Sequence, residues 1–178
     1  MERKLYYIHG LHGSNQSKKY LELKEYYPEI ECLSWEVTDD INLKLQDWKQ
    51  IINENSADVD CIIASSTGAN FAYQLRKICK PNYFHLVLIN PLFDFDDKFD
   101  SSTMPEQLKK YLVKIEKHSE SLILLSKNDT VINNQKYLLN DSFIKNHNHI
   151  VIDDNATHRF ENIKNYFKLI DDTIHSIY

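Results

Sequence analysis

Short apolar runs alternate with amphipathic helical patterns from one end of the chain to the other. The apolar runs predict strands, several of them buried on both faces, at residues 4–8, 30–35, 59–64, 84–90, 121–126 and 149–152. The stretches between them have apolar residues three and four apart and predict helices at residues 17–27, 40–53, 68–80, 105–118, 133–139 and 160–177. This alternation predicts an α/β fold with a mostly parallel sheet and helices on both of its faces.

Length and charge restrict the classes of protein to which the chain can belong. At 178 residues it is long enough for one domain and short for two, so we expect a single domain over residues 1–178. A net charge of -5, with scattered cationic side chains, provides no binding surface for nucleic acid or for an anionic membrane. The apolar runs are too short to cross a bilayer, and the start MERKLYYIHG lacks the pattern of a signal peptide. The expected location is therefore the cytoplasm.

The chain has only three glycines, and each of them follows a predicted strand. Average usage of about 7% would give roughly a dozen glycines in a chain of this length. Gly10 and Gly13 lie in IHGLHGS after the first strand, and Gly68 closes ASSTG after the third. We therefore expect these two turns to need backbone geometry that only glycine tolerates.

The turn after the third strand has the pattern of a nucleophile elbow, a sharp strand-to-helix turn that exposes a serine hydroxyl. Its strained backbone requires small residues two positions before and two positions after the serine. Ser66 meets this rule with Ala64 and Gly68, whereas Thr67 would occupy the later position for Ser65. The pattern is thus G-x-S-x-G with alanine in place of the first glycine. The same residues also suit an ordinary turn, so assigning Ser66 as a nucleophile depends on finding its partners.

A catalytic serine needs a histidine that takes its proton and a carboxylate that orients the histidine. In enzymes that hold the serine at such an elbow, the acid and then the histidine follow in loops after later strands. The segment LILLSKND ends a predicted strand and provides Asp129, and IVIDDNATHRF ends the last strand and provides His158. Asp129 is also a candidate for an ordinary turn residue, and Asp94 and Asp96 after the fourth strand are alternative acids.

Two backbone N–H groups are candidates for an oxyanion hole, which stabilises the charge that develops on a carbonyl oxygen during attack. One belongs to Thr67, directly after the candidate serine, and the other to Leu11 in the loop HGLHG, which is otherwise a simple glycine turn. His9 and His12 are too few for a zinc site, and the chain contains no H-E-x-x-H. It also lacks a phosphate-binding loop and a G-x-G-x-x-G motif. We therefore expect neither a metal nor a cofactor.

Residues 91–120 form the longest stretch without a predicted strand and open with the acidic and aromatic segment LFDFDDKFD. An insertion at this point would overhang the carboxyl ends of the strands, where ligands bind in parallel sheets. We interpret these residues as a short lid or pocket wall. A solvated connection with one surface helix is the alternative.

Several segments together resemble the small bacterial YqiA-like esterases of the α/β-hydrolase superfamily. They are YYIHGLHGSNQSKKYLELKEYYPEIE, IIASSTGANFAYQL, VLINP, LILLSKNDTV and NATHRF, and residues 94–120 are the least similar. The resemblance implies a compact serine hydrolase without a large cap domain. It also implies a six-stranded parallel sheet in the order 2-1-3-4-5-6, with Ser66 as nucleophile, Asp129 as acid and His158 as base.

The expected activity is hydrolysis of small acyl esters through an acyl-enzyme intermediate, with a small-molecule ester as the partner. Thioesterases, peptidases and acyltransferases use the same triad and differ in their pockets. A binding module that has kept the fold without turnover is the alternative from another class, because a fold by itself is not a function.

Overall fold

The structure, a computed structural model, describes residues 4–54, 59–79, 84–116, 120–138 and 149–175. Its strands are β1 (Lys4–Ile8), β2 (Glu31–Cys32), β3 (Val59–Ser65), β4 (His85–Ile89), β5 (Ser121–Asn128) and β6 (His149–Thr157). They form one six-stranded sheet in the order β2-β1-β3-β4-β5-β6, and every neighbouring pair is parallel. The predicted sheet, with its strand order, is confirmed.

The helices connect these strands and cover both faces of the sheet. They are α1 (Lys18–Tyr26), α2 (Ile41–Glu54), α3 (Thr67–Ile78), α4 (Glu106–Lys109), α5 (Gln135–Leu138) and α6 (Phe167–His175), and single 3-10 turns occupy Phe95–Asp97, Ser101–Thr103 and Ile163–Tyr166. Tyr6 and Ile8 of β1 pack in the core beneath α2 and α3, whereas Leu5 and Tyr7 pack in the core beneath α1 and α6. Successive side chains of a strand point to opposite faces, so one strand supplies both cores.

The second strand is shorter than predicted. Residues 30–35 have the composition of a strand, but only Glu31–Cys32 pair with β1 as a strand. Beyond them the N–H of Leu33 still donates to Tyr7 O at 2.8 Å, but that of Trp35 donates to the ring Nε2 of His9 at 3.3 Å. The pairing of β2 with β1 ends because Trp35 N donates to the ring of His9 instead of to a backbone oxygen.

The predicted helix over residues 105–118 is wrong beyond its first turn. Only Glu106–Lys109 is helical, and the described residues that follow, 111–116, are irregular. The buried side chain of Asn70 on α3 explains why: its Nδ2 donates to Val113 O at 2.8 Å, and its Oδ1 accepts from Val113 N at 3.1 Å. Val113 therefore has both backbone groups satisfied without a helix. Residues 117 and 118 of the prediction lie outside the described residues.

Candidate active site

Ser66 forms a sharp, strained turn between β3 and α3, at the carboxyl end of a central strand. Its backbone has φ 53° and ψ -123°, a conformation that costs a non-glycine residue about 1–3 kcal/mol. Its neighbours hold it there: Ser66 N donates to Ile89 O at 3.0 Å, and Ser66 O accepts from Ala69 N at 3.0 Å and from Leu92 N at 3.1 Å. The turn has the strained backbone of a nucleophile elbow.

The two glycines nearest Ser66 allow close packing rather than an unusual backbone. No glycine in the described residues has a positive φ, so the need for glycine at these positions comes from close approach and not from the dihedral angles. A Cβ on Gly68 would lie 2.3 Å from His9 O and 2.6 Å from Ile8 O, and one on Gly10 would lie 2.9 Å from Ser66 Cβ. Only hydrogen fits at these positions, because α3 packs against the backbone at the end of β1 and the first loop packs against Ser66.

The structure brings Ser66, His158 and Asp129 together into one hydrogen-bonded chain. His158 Nδ1 lies 2.8 Å from Asp129 Oδ2, and His158 Nε2 lies 3.1 Å from Ser66 Oγ. A carboxylate only accepts hydrogen bonds, so the imidazole carries its proton on Nδ1 and presents the lone pair of Nε2 to the serine hydroxyl. This is the tautomer in which a histidine can receive the proton of the serine.

Asp129 is held in place on the side facing away from His158. Its Oδ1 accepts from Val131 N at 2.8 Å and from Ile132 N at 2.9 Å, which leaves Oδ2 for the imidazole. The Asp129 side chain is 4% exposed and that of His158 20%, so the carboxylate is shielded while the base remains accessible. Asp129 does lie in an ordinary turn, and the backbone bonds of that turn orient Oδ2 toward His158.

The alternative acids are engaged elsewhere. Asp94 Oδ1 accepts from Asp96 N at 3.2 Å, and Asp94 Oδ2 lies 3.3 Å from Lys114 Nζ. Asp96 is exposed. Ser65, the alternative serine, is buried, and its Oγ lies 3.1 Å from the hydroxyl of Tyr7.

Sequence reasoning did not identify Asn90, which fastens the His158 loop to the centre of the sheet. This buried side chain follows β4; its Nδ2 donates to His158 O at 3.0 Å, to Thr157 O at 3.2 Å and to Ser126 Oγ at 2.8 Å. Its Oδ1 accepts from Ser126 N at 2.7 Å. The available signal was the segment VLINP, in which a polar residue ends an apolar strand, but it does not reveal these distant partners.

The first loop lies against Ser66, where sequence reasoning placed the second donor of an oxyanion hole. Leu11 lines the same cavity as Ser66, and Thr67 begins α3, so its N–H has no partner within the helix. The loop is anchored by His9, whose ring stacks on Trp35 with centroids 5.4 Å apart and whose Nδ1 donates to Gly10 O at 2.9 Å. Burial lowers the pKa of His9, so its imidazole is held neutral as a structural support.

A cavity of about 560 Å³ opens beside Ser66 and His158. Its walls come from the end of β1 and the first loop, from the start of α1 and from the residues after β6. None of the described residues in the segment 91–120 lines this cavity, so a lid role for that segment stays a prediction. Within the described ranges, no cluster of three metal-binding side chains occurs, and no helix is long and apolar enough to span a membrane.

The family model described as "Uncharacterised protein family (UPF0227)" matches residues 4–174. No curated protein sequence matches the chain. Among solved structures, the fold is similar to one of the metagenome-derived lipolytic enzymes LipS and LipT, with TM-score 0.69 at 13% identity over 98% of this chain and 94% of that one. Est1E from Butyrivibrio proteoclasticus matches with TM-score 0.66 at 11% identity over 97% of this chain and 85% of that one. A serine hydrolase from Cycloclasticus zankles matches with TM-score 0.67 at 12% identity, over 99% and 91%. At these identities the structural likeness shows the α/β-hydrolase fold.

Proposed function

The chain belongs to the uncharacterised protein family UPF0227, the YqiA-like α/β-hydrolases, and from that premise we propose that it is a serine hydrolase of small acyl esters. The observation that carries the proposal is the hydrogen-bonded chain from Ser66 Oγ through His158 to Asp129, with distances of 3.1 and 2.8 Å. This chain of hydrogen bonds begins at Ser66, whose strained backbone conformation presents the serine hydroxyl. The serine hydrolases and lipolytic enzymes among its structural neighbours support this reading.

The proposed reaction follows from the positions of the three side chains. Ser66 Oγ attacks the ester carbonyl while His158 Nε2 takes its proton, and Asp129 stabilises the imidazolium that forms. The backbone N–H groups of Leu11 and Thr67 receive the oxyanion. His158 then protonates the departing alcohol, and water releases the acid from Ser66 by the same steps. Thioesters, peptides and transfer to another acceptor would use the same groups.

We assign the activity to the cytoplasm as part of the same proposal. None of the three cysteines, Cys32, Cys61 and Cys79, forms a disulfide in the structure. Cysteines in apolar segments that form no disulfide suit a reducing compartment.

Labelling with a fluorophosphonate followed by peptide mapping tests the proposal. We expect a single modified residue, Ser66, because only a hydroxyl paired with a base is nucleophilic at neutral pH. Ser66→Ala should abolish labelling, whereas the matched control Ser65→Ala should still be labelled, since Ser65 pairs with Tyr7 rather than with His158. Labelling at Ser65, or none in a folded sample, would refute the assignment and favour a binding module.

A further inference from the structure

The cavity beside Ser66 contains a lysine that the proposed reaction does not use. Lys19 lies in the first turn of α1, is partly buried, and lines the same cavity as Ser66 and His158. Lys19 is thus placed where a bound ester would lie, and it belongs to a helix that forms one wall of the cavity.

Within the described parts of the chain, no carboxylate lies at ion-pair distance from the Lys19 ammonium. Glu22, one turn further along α1, lies 3.9 Å from Lys18 instead. Asp129 attracts Lys19 from a longer distance, but both oxygens of that carboxylate already accept hydrogen bonds from His158 and from backbone N–H groups. Lys19 therefore lines the cavity without a carboxylate in direct contact among the described residues, and Asp129 compensates its charge only from a distance.

Burial lowers the pKa of Lys19 to about 8, against the attraction of Asp129, which acts to raise it. At pH 7 the Lys19 side chain is therefore protonated in most molecules of the protein. Holding a cation away from water is unfavourable unless an opposite charge joins it. The beginning of α1 adds to the same preference, because its N-cap Ser17 makes no side-chain capping bond and leaves the first N–H groups of the helix open.

Two carboxylates also line the cavity, but neither forms an ion pair with Lys19. Glu22 lies 3.9 Å from Lys18 and has one buried oxygen, Oε2, without a hydrogen bond, and Glu161, which follows β6, is exposed. Three cationic side chains, those of Lys18, Lys19 and Arg159, line the cavity against these two carboxylates.

We propose that Lys19 binds an anionic group of the substrate, so that the enzyme acts on esters bearing a carboxylate or a similar anion near the scissile bond. This inference rests on the proposed function, because it assigns a substrate class to the same cavity. The anion can belong to the acyl part or to the alcohol part of the ester. In either position it would give Lys19 the ion-pair partner that none of the described carboxylates provides.

Two matched pairs of esters distinguish these sources. Mono-4-nitrophenyl adipate and 4-nitrophenyl adipamate differ only in a carboxylate or carboxamide on the acyl part. The esters 4-acetoxybenzoate and 4-acetoxybenzamide differ in the same way on the alcohol part. We expect the wild type to prefer the anionic member of at least one pair by about 10- to 100-fold in kcat/KM, the scale of a hydrogen bond to a charged group. The pair that shows the preference identifies the side on which the anion lies.

Lys19→Gln should remove that preference, measured as the ratio of kcat/KM between the two members of a pair. Lys168→Gln, on the exposed face of α6, removes an equal charge far from the cavity and should leave the preference intact. Lys19→Arg should keep the preference, because a guanidinium also bears a positive charge. Circular dichroism of each variant verifies that it is folded.

The pH dependence of the preference adds a readout that a purely structural role would not change. The charged and titratable groups around Lys19 are His9 and His12 in the first loop, Lys18 and Glu22 on its own helix, Asp129 after β5, and His158, Arg159 and Glu161 after β6. Tyr7 on β1 stays neutral, since burial raises its pKa to about 12. The ratio of kcat/KM between the two members of a pair cancels titrations that affect both members equally, including that of the base. With the pKa of Lys19 at about 8, the ratio should fall by up to about tenfold from pH 7 to pH 9 in the wild type and stay constant in Lys19→Arg.

The inference is overturned if the wild type shows no preference in either pair, or if Lys19→Gln keeps the preference. Fluorophosphonate labelling of the same samples separates this failure from failure of the proposed function. Normal labelling of Ser66 without an anionic preference would reject the role of Lys19 alone. Absent labelling of the folded wild type would reject the hydrolase itself.

Discussion

Replacing Asn90 by aspartate tests whether one buried amide holds the proposed base in place. The two side chains have the same shape, and both tolerate the positive φ of 43° that Asn90 adopts. The exchange therefore leaves the backbone requirement unchanged and replaces the Nδ2 donor with an oxygen of a titratable carboxyl group. Asn90→Asp turns the contacts of Nδ2 with Ser126 Oγ, Thr157 O and His158 O into contacts between oxygens.

The cost follows from the number of bonds lost. An amide has two N–H bonds, so two net hydrogen bonds of about 1–1.5 kcal/mol each disappear, and a buried acceptor without a donor costs a further 1–3 kcal/mol or so. We expect Asn90→Asp to lower the free energy of unfolding by roughly 3–6 kcal/mol, a large part of the 5–15 kcal/mol or so that is typical of a domain. The labelling rate of Ser66 should fall as well, because the loop carrying His158 loses its anchor.

Urea unfolding at pH 7.5 and pH 5 measures this effect. Burial raises the pKa of the introduced carboxyl in the folded state above its unfolded value. The protonated form is therefore favoured on folding, and the destabilisation relative to wild type should be smaller at pH 5 and grow as the pH rises. Asn128→Asp is a matched control, because the exposed Asn128 makes a single bond to Asp154 O at 2.8 Å, and its change should stay within about 0.5 kcal/mol. Equal losses for the two variants, or an unchanged labelling rate in Asn90→Asp, would show that Asn90 does not position the base.

Two further changes probe the elbow and the acid. Gly68→Ala places a Cβ against the backbone oxygens of His9 and Ile8, so α3 must move away from β1. We expect the free energy of unfolding in urea to fall by at least about 1–3 kcal/mol and the labelling of Ser66 to become slower. Wild-type values of both would contradict the packing argument. Asp129→Asn should retain the fold but lower kcat by about 10⁴, because its amide favours the wrong imidazole tautomer. Asp94→Asn, which changes the partner of Lys114, serves as its control and should cost little activity; the reverse ranking would move the acid to the loop after β4.

Most of what the sequence could predict follows from the order of its strands and helices along the chain. Alternating strands and helices specified the sheet, and small residues around Ser66 marked the elbow before any partner was known. Asp129 and His158 were identifiable because each directly follows a strand whose carboxyl end lies at the same edge of the sheet as Ser66. Only the elbow itself depends on residues within one turn, whereas Asp129 and His158 were chosen for their order after later strands.

Features that depend on distant partners could not be predicted. Asn90 bonds to residues 36, 67 and 68 positions away, so its role exists only once β4, β5 and β6 are side by side. The irregular segment after α4 has helical periodicity, but Asn70 satisfies the backbone of Val113 from 43 positions away. Lys19 is one of several lysines on an amphipathic helix, and only the packed structure distinguishes it from Lys18.

His158 directly follows β6, the last strand, which lies at an edge of the sheet. Among the described residues β6 pairs with β5 alone, and an edge element of this kind opens locally at a lower free energy than the whole fold. When this edge opens, Ser66 stays with β3 near the middle of the sheet, while the proposed base moves away from it. We therefore expect opening of this edge to set how long Ser66 remains reactive, and inactivation by heat or denaturant to precede the loss of most secondary structure.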